Sequence, residues 1–558
     1  MNTLLGWGRF FQRHLIGWLL AVFGLFLWNS CASPSPSPGG NLHLGRSIHR
    51  ARVYQSPMIR VGIAYARRFE VFAPDSFYIF SRSGLMYRGT SGNYTVRFLK
   101  GISPERIPYV WVGTTPSLDS ATALKIQWEL LGYPLRVEHW GHAFRFRTTE
   151  LDAREYAIFV GPLESPQVAK QDSLLREFPL FWIPKGEATG WLEVTDALGN
   201  VVVRCASPVR FLPTPHGNHT FRLLNVRPGI RFIATTPQNL HLLGILEFRV
   251  ASDSNLVVIN ELPLEEYLKG VVPVEMPSNY PLEALKAQAI VARTYALWTW
   301  DKGRNFWEPF DLPGDYSAQA YGDLKTHTYI TDLAVWNTRG KIVVYRGRPI
   351  EALFHSCCGG HTESAQLVFG HDRPYLRGVF CGPEERYATE PLRLSVRDWI
   401  AHPPDECYGK PENAQTPEAR RNFRWTVRLD PKEVRRRILR YTGVDVGKIT
   451  AIRPLQRGVS GRILRLEIVG TRNRVVLEGQ YRIRQVLRNP PLKSSLFTVE
   501  LIRSLGGLPV TIVLRGGGAG HGVGMCQVGA AGMAREGFTA AQIVAHYYPG
   551  TRILHLYP

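Results

Sequence analysis

The chain has 558 residues, 44% hydrophobic and 20% charged, which is too long for one hydrophobic core and too apolar for a disordered or fibrous protein. Its 67 Lys and Arg against 46 Asp and Glu give a net charge of +21, which favours a polyanion or an anionic surface as partner. Seven cysteines scattered over that length exclude a disulfide-built scaffold but leave room for one bridge or a metal.

At the N-terminus, Arg9, Arg13 and His14 precede an apolar stretch over 15–28 and the small residues Ser30-Cys31-Ala32, the pattern of an export leader over 1–32. Cleavage after Ala32, lipidation of Cys31 and retention as a short membrane anchor are all compatible with it. Each outcome places the folded part outside the cytoplasmic membrane, in the periplasm or cell envelope. An anionic wall or membrane surface, not nucleic acid, is then the expected partner of the positive charge. Residues 33–56, beginning SPSPSPGG, read as an extended tether. Runs such as RVGIAYA, SFYIFS and NYTVRFL predict a β-rich module over 57–107.

The pattern then changes. YVWVGTT (109–115) predicts a strand, and 117–132 a helix with Ala121, Leu124, Ile126 and Leu130 or Leu131 inward. FRFRTTE and YAIFVGP follow as strands and 166–178 as a second helix, so that 108–185 forms a small β-α-β-β-α-β unit. Residues 186–243 return to β-rich text, and 244–558 alternates helices with strands without a clean linker. The fold class is α+β: a mixed helix and antiparallel-sheet domain, with flanking strands packed on it and the small unit inserted.

Three segments carry candidate chemistry. In VVPVEMPSNYPLEALKAQAIVARTYAL (271–297), a helix over 264–271 is expected to break at Pro273 and Pro277. A second begins near Pro281 with Ser278 or Asn279 as cap and Leu282, Leu285, Ala289, Ala292 and Ala296 along one face. Glu275 falls in the bend, where apolar neighbours would raise its pKa and suit it to donate a proton; the alternative is that it pairs with Lys269 or Arg293, or caps a backbone amide. In ALFHSCCGGHTESA (352–365), His355, Cys357, Cys358 and His361 gather around a Gly-Gly turn with Cys381 beyond. These are donors that zinc prefers, and a Cys358–Cys381 disulfide is the alternative. RGGGAGHGVGMCQVGAAGMAREG (515–537) matches neither a Walker loop nor a dinucleotide fingerprint, and reads as a pocket wall bearing His521 and Gln527. The loop DYSAQAYG (315–322), with Gln319 and Tyr321, suits sugar contact but equally a plain turn.

With YVWVGTTPSLDSATAL near its start and EYAIFVGPLESPQVAKQ near its end, the small unit resembles the SPOR domain. That resemblance implies binding of peptide-stripped glycan; a generic split β-α-β unit is the other reading. The segments INELPLEEYLKGVVPVEMPSNYPLEALKAQAIVARTYAL, YSAQAYG, FHSCCGGHTESA, PYLRGV, VSGRILRLEIVG, LKSSLFTV and GGGAGHGVGMCQVGAAGMAREGFTAAQIVAHYYPGT together resemble, in order, the SpoIID/LytB family of cell-wall proteins. The resemblance implies lytic cleavage of the MurNAc-GlcNAc bond after an N-acetylmuramoyl-L-alanine amidase has removed the stem peptides. It makes Glu275 the catalytic acid of the Glu-Met-Pro motif, and it implies a structural zinc held from the 355–361 segment. Ala519 stands where the family carries an aromatic residue. The contrasting implication is a non-catalytic, wall-binding amidase enhancer, and a third reading is a hydrolase that leaves reducing ends.

Overall fold

The computed structural model describes residues 56–146, 149–251, 255–300, 302–383 and 395–557. The leader and residues 33–55 of the tether lie outside the described residues. The β-rich text on both sides of the small unit joins into two sheets. One has seven strands in the order Leu312–Pro313, Met58–Ala66, Leu256–Pro263, Ile245–Val250, Val209–Pro213, Phe77–Ser81 and Gly84–Gly89. The other has six: Val201–Ala206, Thr189–Thr195, Gly92–Ile102, Arg68–Ala73, Thr220–Val226 and Gln238–Leu243. Neighbours are antiparallel except where Val61 runs beside Leu312. Alternation selects the inner faces: Phe69, Val71 and Ala73 are buried from one strand, and Phe77 stacks on Phe211 at 5.1 Å and meets Tyr94 edge-on at 4.9 Å. Residues 57–107 and 186–243 therefore supply strands to both sheets, and 245–263 adds two to the seven-stranded one. The division drawn at 244 runs through those sheets, because strand pairing here is long-range and leaves no mark in local composition.

The small unit has four antiparallel strands in the order Leu180–Pro184, Arg106–Thr115, Glu155–Val160 and Leu135–Trp140. Its helix α1 (Leu118–Leu130) buries Ala121 and turns Leu124 and Trp128 inward, while Ile126 and Leu130 are 50% and 83% exposed. This corrects the expected inward set. At about 100° per residue, positions 121, 124 and 128 share one stripe, and 126 and 130 lie roughly opposite it. The second helix also differs from expectation, since α2 (Pro166–Gln171) stops at Asp172. The Asp172 carboxylate accepts from the amides of Leu174 and Leu175 at 2.7 and 3.0 Å and replaces the helical bonds that would have continued it. The sheet is covered on both faces. Val110, Val112, Ile158 and Val160 face the unit's own helices, and Tyr109, Trp140, Phe159 and Phe181 face a cover that includes Phe306 and Trp307 from far along the chain.

Helix α3 (Leu264–Glu275) packs on α4 (Leu282–Thr299), which is apolar nearly all round and correspondingly buried between α3 and later elements. A separate core from Leu429 to Leu514 is built around α5 (Pro431–Thr442), α6 (Gln480–Leu487) and two three-stranded sheets. The chain enters and leaves it through strands Arg424–Leu429 and Pro509–Gly517, which pair with each other, so a second core exists without a linker to reveal it. Helix α7 (Gln527–Arg535) then packs back onto α4. Among the described residues no helix is long and apolar enough to cross a membrane.

Candidate active site

Pro273 does not break α3 as the sequence reading expects. A proline removes one helical hydrogen bond, and here Tyr267, Leu268, Val271 and Val272 are buried along the helix and hold it together. The stop comes at Met276, which precedes Pro277 and is extended at φ −136°, ψ 120°. Neither Ser278 nor Asn279 caps the next helix; the residue before α4 is Pro281. Glu275 is thus the last residue of α3. Burial lifts its carboxyl from 4.5 to about 7, against the opposing pull of the Ala320 amide, which donates to Oε1 at 2.7 Å. The carbonyl end of the helix acts in the same direction as burial, since it disfavours negative charge.

The cations that could have neutralised Glu275 are engaged elsewhere. Lys269 lies 2.7 Å from Glu266. Arg293, fully buried in α4, holds Glu265 through two bonds of 2.9 and 2.7 Å, and the Tyr557 hydroxyl donates to the same carboxylate at 2.7 Å. The loop that supplies the Ala320 amide is fastened by Asp315, whose carboxylate accepts from the amides of Ile230, Arg231 and Ser317 at 2.6, 2.7 and 2.8 Å.

Glu275 opens into a pocket of about 220 Å³ lined also by Tyr295, Tyr316, Ala318, Phe354, His355 and His521. It is the sole carboxylate in that lining, and Tyr316, 73% exposed, stands at the mouth. The His521 Nδ1 accepts from the Val523 amide at 3.1 Å, so any single ring proton sits on Nε2. Burial, with His355 and Arg462 nearby, depresses its pKa to about 3, which makes it a neutral wall at pH 7. Gly520 passes His355 so closely that a Cβ would sit 2.9 Å from that of His355, at φ +96°.

Of the four residues expected to contact sugar, the structure brings only His521 to this lining. Gln319 is buried and donates to the Ala292 carbonyl at 3.2 Å. Tyr321 stacks on Tyr267 and donates to Asn260 at 2.9 Å. Gln527 faces Gln288 of α4. Their polar groups serve internal packing, which an apolar helix behind the loop requires of them. Tyr316, in the same loop, was missed; its place beside Gln319 was visible in the sequence, but nothing local says which loop residue points outward.

The expected metal donors separate in the same way. His355 pairs in parallel register with Cys526, and His355, Cys358 and Cys526 place their donor atoms within 4.8 Å of one another, all buried. Cys357 is not one of the three but lies in hydrogen-bond reach of Cys526, and His361 lies apart, its Nδ1 2.6 Å from the Thr362 carbonyl. Cys381 adjoins the group, with its sulfur 3.1 Å from the Tyr547 hydroxyl. Burial resists ionisation of Cys526, but hydrogen bonds from Cys357, Cys358, Cys381 and His355 outweigh it and hold this thiol well below its ordinary range. All six described cysteines are free thiols. An imidazole and two thiols whose donor atoms lie within 4.8 Å of one another are a set that a soft divalent ion fits.

Residues 252–345 match the family described as stage II sporulation protein (SpoIID), and 368–524 match a domain of unknown function (DUF8618). The chain is 33% identical over 313 residues to an uncharacterized protein of Brachyspira hyodysenteriae, covering 56% of this chain and 72% of that one. It is 31% identical over 321 residues to stage II sporulation protein D of Bacillus subtilis, covering 55% and 77%. A third relative, the amidase enhancer of Bacillus subtilis, is 27% identical over 300 residues, or 51% of this chain and 40% of that one. With three quarters of the sporulation protein matched at this identity, and the Glu-Met-Pro segment inside the matched domain, the chain belongs to the SpoIID/LytB family.

Proposed function

We propose that this chain is a peptidoglycan lytic transglycosylase that cleaves the MurNAc-GlcNAc bond of peptide-stripped glycan and leaves 1,6-anhydro ends. Family membership gives it a peptidoglycan-related role. The observation that carries the finer reading is Glu275: one carboxyl, raised to about 7, alone among acids in its pocket. Hydrolytic glycosidases place a second carboxylate about 5–5.5 Å or 6.5–9.5 Å from the first, to attack or to activate water. The pocket lining offers none. A single group suffices when the nucleophile belongs to the substrate.

In that scheme the protonated Glu275 donates to the glycosidic oxygen while the C1–O bond breaks. The muramyl C6 hydroxyl then attacks C1, and its proton passes to the Glu275 carboxylate, which returns to its starting form. The Ala320 amide fixes one carboxyl oxygen, so the other faces the substrate. Neutral His521 adds no charge that would hold Glu275 ionised.

The exported location, a supply of stripped strands from an amidase, and glycan binding by the unit at 108–185 belong to the same proposal. A second reading, a wall-binding enhancer without catalysis, is favoured by the relative that bears the name amidase enhancer. Mass spectrometry of products from amidase-treated glycan and the purified chain tests both. Anhydromuramyl fragments support cleavage, fragments heavier by one water indicate a hydrolase, and no fragments with increased amidase turnover indicate an enhancer.

A further inference from the structure

We propose that the second core carries a membrane-docking tip, the hairpin turn around Leu505, which seats on an anionic phospholipid surface. The inference shares the exported location with the proposed function and nothing of its chemistry. Leu505 is fully exposed, and Ile502 and Val510, which flank it on the two strands, are 38% and 55% exposed. The turn joins strands Phe497–Arg503 and Pro509–Gly517, whose last pair is Arg503 with Pro509. Three large apolar side chains at one tip exceed the single, scattered ones that any surface carries.

The turn holds its own shape. The Ser504 amide donates to the Leu508 carbonyl at 3.0 Å and the Gly507 amide to the Ser504 carbonyl at 2.9 Å, which closes the turn on itself. Arg503 braces it, donating to the Gly507 carbonyl at 2.6 Å and to the Thr450 carbonyl of the neighbouring sheet at 2.9 Å. Backbone groups satisfied within the turn lower the cost of taking it into an apolar interface. Leu198 gives the contrast: it is 87% exposed, but its turn is held by the Asp196 carboxylate, whose charge an anionic surface repels.

Charge selects the occupant. From strand Arg424–Leu429 to strand Pro509–Gly517 the chain has twenty Lys and Arg against six Asp and Glu, a net +14 of its +21. Five of those acids pair with arginines, and the sixth, Asp430, caps α5 through the Lys432 amide. Two lysines flank the tip. Helix α5 starts just past Leu429, the partner of Ile512, which puts Lys432 at the Val510 end of the hairpin, and Lys448 is two residues from Thr450, where Arg503 attaches. Both are exposed, and among the described residues neither pairs with an acid. A soluble polyanion would satisfy these charges but not the apolar tip. An anionic bilayer satisfies both, since the lysines attract headgroups while the apolar side chains enter the interface. Where the leader stays as an anchor, residues 33–55 let the folded part stand no farther than about 80 Å from that surface.

The test uses the full chain with an environment-sensitive fluorophore on Leu505→Cys; the parent labelled alike corrects for Cys31, since the six described cysteines are buried. On vesicles of phosphatidylglycerol and phosphatidylcholine, a lipid-borne quencher should act on this label at least about fivefold more strongly than on the same label at Leu198→Cys. On phosphatidylcholine alone, or with Lys432→Gln and Lys448→Gln combined, that difference should shrink at least about threefold, with the melt unchanged. Neither glycan nor cleavage enters the readout, so its failure is distinct from failure of the lytic reading. Equal quenching at 198 and 505 would overturn the proposal, as would full quenching retained without anionic lipid or without the two lysines. A blue shift caused by soluble polyphosphate and not by vesicles would also overturn it, by marking an anionic wall polymer as the partner.

Discussion

Glu275→Gln keeps the shape of the side chain and its acceptor for the Ala320 amide but removes the titrating proton. Two effects should follow with opposite signs. Cleavage should fall by about 10²–10⁴-fold, toward the upper end because the same group acts twice. Stability should rise, and only at higher pH. A carboxyl lifted from 4.5 to about 7 binds more protons folded than unfolded between those values, so the parent loses stability as pH rises through that window, in total about 3 kcal/mol at 1.36 kcal/mol per pH unit. The glutamine variant has no such loss. Thermal melts at pH 4 and pH 8, together with product release, check both. The variant should melt with the parent at the acid end and above it at pH 8. A variant that melts at or below the parent at pH 8, or that still releases anhydromuramyl fragments at a comparable rate, would refute the assignment of a buried, protonated acid at this position.

The pH profile of kcat/KM should decline about tenfold per pH unit above about 7, as the acid form of Glu275 is depleted; a flat profile to pH 9 would contradict it. Glu265→Gln should destabilise the fold by about 3–5 kcal/mol, since it leaves Arg293 buried without a counter-charge; a melt unchanged from the parent would show the pair to be dispensable. Tyr316→Ala should raise KM by about tenfold with an unchanged melt, the loss expected of one aromatic contact at an exposed pocket mouth; unchanged KM would place the strand elsewhere. Gly520→Ala should cost about 1–3 kcal/mol and lower activity, because its φ of +96° and the 2.9 Å approach to His355 both resist a Cβ; a parent-like melt would show that the loop can shift.

The sequence alone determined what rests on short periods and single side chains. The alternating Tyr109-Val110-Trp111-Val112 strand, the start of the helix after Pro263, the apolar α4 and the acid placed ahead of Met276-Pro277 are all local patterns, and each appears where the residues put it. Tertiary structure decided whatever depends on partners far apart in the chain. Packing of the buried face carried α3 through Pro273. Long-range pairing joined residues 57–107 to 186–263, and the core at 429–514 formed without a linker to announce it. Tyr321 and Gln319 turned inward because buried α4 and Tyr267 needed their contacts, leaving Tyr316 at the pocket. Cys526 joined His355 because a two-residue parallel pairing brings them side by side. A 2.0 or 3.6 periodicity tells which face of an element is apolar, but the free energy of burying that face is nearly indifferent to which distant apolar surface covers it. Only the summed geometry of the whole chain chooses the partner, and the pocket and the His355, Cys358 and Cys526 group are made of such choices.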